Sequence, residues 1–137
     1  MNPNYVHTIT LYNRIRAADT KDRKEKWIRT VISGCFYKAQ VNTVLTTQAT
    51  VSNTYTVRIP KDSRYLSYLE FLKNPAGHFT VSMDDIVVVG ICQEEITGTD
   101  GYTATQLLTR NKPNAFKVTA FSDNTNHLTN KHYRLGG

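Results

Sequence analysis

Cysteine is scarce here: Cys35 and Cys92 stand far apart, each inside an apolar run. That argues against a disulfide framework and for two buried thiols in a reducing compartment. Metal pairs are missing too, since neither these cysteines nor His7, His78, His127 and His132 show ligand spacing. No apolar run approaches the ~18 residues of a membrane span. The opening, Met1-Asn2-Pro3-Asn4-Tyr5, has neither the charged lead nor the apolar stretch of a signal peptide. The expectation is a soluble protein, intracellular when made, with no cofactor and no membrane partner. There is no glycine-rich loop to cradle phosphate and no serine in a nucleophile-elbow sequence. The doublets Asp84-Asp85 and Glu94-Glu95 join sequence neighbours, which point to opposite faces of a strand and share no acid–base site. An enzyme is therefore not expected. Tandem repeats and low-complexity tracts are absent as well.

What is present favours β structure. A chain of 137 residues makes one domain with a real core. Apolar residues make up 39%, a little low, but there are eight tyrosines and abundant threonine, residues that suit a pleated, half-buried surface. The net charge of +6 fits solubility, or contact with nucleic acid, an anionic membrane or an acidic protein, and selects none of them.

The stretch 26–37 holds the only tryptophan and reads as a strand, with Trp27, Arg29 and Val31 on one face and Ile28, Thr30 and Ile32 on the other. Gly34 marks a bulge, past which the strand is read to about Ala39. Before it, 7–13 alternates, with Ile9 and Leu11 inward and Thr8, Thr10 and Tyr12 outward: a half-buried strand. Residues 54–59 alternate as clearly, with Tyr55, Val57 and Ile59 inward and Pro60 as the stop. Residues 86–92 form a short β-branched run that reads as a strand covered on both faces. Residues 115–121 alternate with Phe116, Val118 and Ala120 inward, and a last strand lies around 132–135.

Three excursions separate these strands. Residues 14–25 read as a solvated loop, and 14–29 carry seven Lys or Arg against three Asp or Glu. Residues 40–53 are uncharged, rich in Thr, Val, Asn and Gln, and read as an extended hairpin or a mobile loop with weakly specified pairing. Within 61–80, Tyr65, Leu69 and Leu72 fall at helical spacing, with Tyr68 and Phe71 widening that face, so a short helix or an apolar strap is expected. Thr103 and Gln106 have capping-box spacing and open a second helix of about two turns. The sum is a mainly β domain: a small antiparallel barrel or sandwich of about six or seven strands, one or two short helices and long loops. A barrel is preferred because it removes edges.

Basic residues interleaved with Tyr12 and Trp27 leave open an oligonucleotide-binding barrel, in which cations meet phosphates and aromatics stack on bases. Trp27 lies in a strand of core character, which favours packing over stacking.

A further feature is the ordered set Leu11-Tyr12-Asn13, Trp27-x-Arg29-Thr30-Val31-Ile32-x-Gly34, Val57-x-Ile59-Pro60 and Asp85-Ile86-Val87-x-x-Gly90. It resembles small virion proteins of tailed bacteriophages of Gram-positive hosts, encoded among the head–tail joining genes and often labelled minor capsid proteins. These are similar to head-closure, or stopper, proteins. The resemblance spans nearly the whole chain in strand order. It implies a β-barrel subunit of a homo-oligomeric ring in the virion neck, assembled in the host cytoplasm. That ring would sit below the portal and adaptor, retain the packaged DNA without sequence specificity, and dock the tail terminator, with no reaction involved. Another phage ring subunit (terminator, cement or minor capsid) uses the same class of fold.

A ring needs one patch to meet a different patch on its neighbour. The expected pair is a basic face (Arg14, Arg16, Lys21, Arg23, Lys24) and an acidic one (Asp84, Asp85, Glu94, Glu95, Asp100). The expected gate is Val44, Leu45, Thr46, Thr47, Gln48, Ala49 and Thr50, whose uncharged composition suits a loop that moves as DNA passes; residues 61–78 are its rival.

Overall fold

The computed structural model describes residues 6–44, 50–74, 77–98, 101–111, 114–125 and 131–137, with backbone alone for 40–44 and 50–53. Leu45, Thr46, Thr47, Gln48, Ala49, Asp100 and His127 lie outside the described residues. Among the described residues seven strands occur: β1 (His7–Ile15), β2 (Lys26–Val44), β3 (Thr50–Pro60), β4 (Ile86–Val89), β5 (Ala115–Lys117), β6 (Ala120–Asp123) and β7 (His132–Gly136). They form one curled antiparallel sheet, a half-barrel in the order β5-β4-β1-β2-β3-β7-β6. Two helices accompany it, α1 (Tyr68–Lys73) and α2 (Ala104–Asn111), with a single 3-10 turn at Ala17–Asp19.

Two segments turn the corner between the halves of the sheet. The first is β2, which pairs with β1 up to Cys35 and with β3 from Phe36 onward. Just before the change of partner Gly34 sits at φ 72°, and the register with β1 slips by one residue between Ile32 and Cys35. A left-handed glycine at a bulge bends the strand and sharpens its twist, as its place in the sequence predicts. The second segment is 115–123. Its front half, β5, pairs with β4, and its back half, β6, pairs with β7. Val118 and Thr119 join them, each tied to one side: Val118 N–H donates to Asp85 O (2.7 Å), and Thr119 N–H donates to Gly136 O (2.8 Å). The single alternating strand expected over 115–121 is therefore two. Phe116 and Val118 are buried as expected, but the change of partner resets the alternation, so Ala120 is exposed and Phe121 packs on the core.

The core inside the curl gathers Ile9, Leu11, Ile32, Val57, Ile59, Val87, Phe116 and Leu135 with Phe79 and Tyr133. Each such side chain contributes about 1.5–3 kcal/mol on burial. A second cluster lies on the other face of β1 and β4: Tyr12, Ile86, Val88, Ile96, Leu107 and Ala115, with Trp27 packed against it. Here α2 and residues 92–96 cover what the sequence leaves outward. The half-buried reading of β1 is corrected accordingly: Thr10 and Tyr12 are fully buried. Both are satisfied, Thr10 Oγ1 donating to Gly90 O (2.8 Å) and Tyr12 Oη to Glu94 O (2.6 Å).

Other boundaries shift for local reasons. β4 ends at Val89; Gly90 takes φ 83° and Ile91 turns out, 68% exposed, so the strand expected over 86–92 is shorter. In α1 Phe71 is buried while Leu69 is 72% exposed, because a six-residue helix on a sheet covers only one stripe. The capping box of α2 forms as expected, with Gln106 N–H donating to Thr103 Oγ1 (3.3 Å) and Thr103 N–H to Gln106 Oε1 (3.2 Å). The 40–53 excursion is a paired ladder: Gln40 opposes Thr54, Asn42 opposes Ser52, and Val44 opposes Thr50. Beyond Cys35 on one side and Tyr55 on the other, no third described strand joins it, so it is a two-stranded arm.

Candidate functional site

The residues expected to form a basic face divide into two groups. Arg14, at the end of β1, lies between Glu25 (2.8 Å) and Asp84 (3.8 Å). Arg16 pairs with Asp19 (3.1 Å), and its guanidinium rests 4.9 Å from the centre of the Tyr68 ring. The Tyr68 hydroxyl donates to Asp19 (2.7 Å), and that bond, more than Arg16 itself, holds the Asp19 carboxyl below its usual range. Lys21, Arg23 and Lys24 instead stand exposed in the β1–β2 connection, without an ion pair among the described residues. They form the free part of the basic segment. A cleft of about 380 Å³ opens at the paired arginines, lined by Arg14, Arg16, Tyr68, Ser82, Met83 and Asp84.

The acidic set separates further. Asp84 is exposed, in the left-handed region at φ 71°. Glu94 pairs with Arg110 (3.3 Å) and Glu95 is exposed. Asp85 is corrected outright: it is fully buried and belongs to no contact face. Its Oδ1 accepts Arg14 N–H (2.9 Å), while Oδ2 accepts Asn13 Nδ2–H (2.9 Å) and Ser82 N–H (2.8 Å). Asn13, itself fully buried, also bonds Thr80 through both its amide atoms. Asp85 thus clamps the end of β1 to the turn before β4. Burial pushes its carboxyl up to about 7, against the pull of the three N–H donors.

The two charged segments are neighbours within one chain. Arg14 reaches Asp84, and Arg29 donates to Cys92 O (3.0 Å). Charge expected to link two subunits is therefore spent in part internally, leaving among the described residues Lys21, Arg23 and Lys24 against Glu95. In the expected gate, Val44 and Thr50 are the last described pair of the arm. The rival segment carries α1, packed through Phe71.

Trp27 is half-buried, its Nε1–H donating to Glu25 Oε1 (2.7 Å) while its ring meets the second cluster, a packing role. Both cysteines are free thiols, and burial pushes Cys35 up to about 12. Among the described residues no three His, Cys, Asp or Glu side chains come together. No helix among them is long and apolar enough to cross a membrane.

The sequence reading passed over Arg58 and Arg134. Each occupies an outward position between buried residues of an alternating strand, and reading β3 and β7 side by side would have revealed them facing each other. Compared with known proteins, residues 5–137 match a family model described as a family of unknown function (DUF6751). No curated protein and no solved structure matches the chain.

Proposed function

We propose, for a chain that belongs to the DUF6751 family of unknown function, a structural role in the virion neck of a tailed bacteriophage. In this reading subunits close a head-closure ring that retains DNA and docks the tail. The observation that carries it is the arm. Residues 40–44 and 50–54 pair only with each other among the described residues, and no charged residue occurs from 40 to 53. A two-stranded hairpin alone in water is marginal at best. One that stands off a well-packed half-barrel is suited to meeting a neighbour, or a channel, in an assembly. The order of strand motifs that resembles head-closure proteins supports the same reading.

The shape suits a ring. β2 links the basic connection at Lys26 to the arm at Val44, and at ~3.3 Å per residue its path is roughly 60 Å. Two different surfaces thus sit at its two ends, as a heterologous contact requires. Lys21, Arg23 and Lys24 steer and register that contact more than they tighten it.

Deleting about residues 44–52 is the test. Assembled heads that leak their genome are expected; heads that keep it remove the proposal. Charge reversal at Arg23 and Lys24 should alter ring formation and its salt dependence. Co-purification with capsid or tail tube and not with portal would reassign the subunit to a cement or terminator ring.

A further inference from the structure

Two arginines face each other across the second half of the sheet. In the β3–β7 ladder Tyr55 and Gly137 exchange both hydrogen bonds (3.0 and 3.2 Å). Counting on from there, Arg58 and Arg134, which are Cα partners, fall at a pair without mutual hydrogen bonds. At such pairs the side chains approach most closely, Cβ atoms about 4.5–5.5 Å apart, and like charges directly opposite destabilise the sheet. Val57, Ile59 and Leu135 are fully buried, so the alternation turns both arginines away from the core. Neither side chain has an ion pair or hydrogen bond among the described residues; Arg58 Nε is buried without a partner, and its guanidinium lies 5.3 Å from the centre of the Phe36 ring. Phe36 opposes Arg58 on β2, and two residues on, the exposed Lys38 extends the same face. Beside Arg134 runs a groove of about 350 Å³ with Gly136 and Ala120 along it and Thr54, Thr56 and Ser122 among its lining residues.

Facing cations without an anion are costly in the isolated chain, and the chain itself has little to offer them. Glu25, Asp84, Asp19, Asp22, Asp62 and Glu94 are held in ion pairs, Asp85 is buried, and Asp123 accepts from Thr125. Among the described Asp and Glu side chains this leaves Glu70 and Glu95, too few for a second copy to cover the face. We propose that the outer face of β2, β3 and β7, centred on Arg58 and Arg134, binds the phosphodiester backbone of nucleic acid. Guanidinium forks match phosphate oxygens, and the hydroxyls beside them are common phosphate donors. Arg58 already covers Phe36, so the face offers no open ring for a base, and contact is with the backbone and independent of sequence.

The test titrates the purified full-length protein with a mixed-sequence DNA duplex over a range of salt concentrations. Arg58→Gln/Arg134→Gln is compared with Lys21→Gln/Arg23→Gln/Lys24→Gln, which removes more charge elsewhere. The arginine pair should lower affinity on the order of tenfold per lost phosphate contact near 50 mM salt and flatten the salt slope by about 0.9 for each. The loop variant should do less. Removing facing like charges also leaves the fold intact, so Arg58→Gln/Arg134→Gln should melt no lower than the parent, which separates lost binding from lost structure. No binding by the parent, or equal losses in the two variants, overturns the proposal. So does binding of polyglutamate in preference to the duplex, which assigns the face to an acidic protein. This inference stands apart from the ring: protein that binds duplex through Arg58 and Arg134 but never assembles keeps the one and sinks the other.

Discussion

Replacing Asp85 by Asn should remove most of a pH dependence of stability centred between the ordinary carboxyl value of 3.8 and the buried one of about 7. In that window the folded chain holds a proton on Asp85 that the unfolded chain has released. Folding then takes up a proton and is favoured by acid, so this contribution is complete below about pH 4 and is lost as pH rises through 7. Each pH unit in between costs about 1.4 kcal/mol, roughly 4 kcal/mol over the whole window and about 2–3 kcal/mol from pH 5 to 7. Asparagine cannot ionise, so its curve should lack this slope. Its height moves too. The new amide group must replace an oxygen that accepts from Arg14 N–H, or one that accepts from both Asn13 and Ser82. The better choice leaves the Arg14 amide unpaired, a cost of about 1–3 kcal/mol. Urea unfolding at pH 5, 6, 7 and 8, followed by fluorescence of the single tryptophan, measures both. Other ionisable groups are common to the two proteins and cancel in the difference. Equal slopes for parent and Asp85→Asn would refute the assignment of the buried carboxyl as their source.

Three further outcomes follow from packing and backbone. Gly34→Ala forces a side chain into the left-handed region at φ 72° and should cost about 1–2 kcal/mol in urea unfolding; an unchanged midpoint would mean the bulge is not needed. Leu107→Ala opens a cavity between α2 and the β4–β5 pair and should cost about 2–5 kcal/mol. The same variant should shift the emission of Trp27, whose ring packs on that cluster, and an unmoved spectrum would contradict that packing. Thr103→Ala should cost about 1 kcal/mol, and adding Gln106→Ala should cost about 0.5–1.5 kcal/mol more, since Gln106 Oε1 accepts the backbone amides of Gly101 (2.7 Å) and of residue 103 (3.2 Å) whether or not the Thr103 hydroxyl is there; a double variant as stable as Thr103→Ala would deny those bonds.

Much of the fold was legible where one face of a strand is buried and the other wet. The inward set Tyr55, Val57 and Ile59 is an example, as is the capping box, whose signal lies within four residues. Long-range coverage was not legible. Thr10 and Tyr12 alternate like solvent-facing residues, and it is residues 90–96, some eighty positions away, and α2, more than ninety away, that cover this face. Asp85 reads as half of a solvated acidic doublet until Asn13 and two backbone amides close around it. The parity reset at Thr119 depends on which strand lies alongside, which local pattern does not encode. In the uncharged arm neither face is marked apolar throughout, so the sequence left its pairing open.

The corner-turning segments carry one more consequence. β2 at Gly34 and 115–123 at Val118–Thr119 each give half their length to one side of the curl and half to the other. Neither side owns a complete set of strands, so neither can detach while the other survives. Loss of structure should thus be all-or-none across the sheet, with the arm alone free to open first. A chain made this way can part the two strands of its arm while the body behind them stays whole.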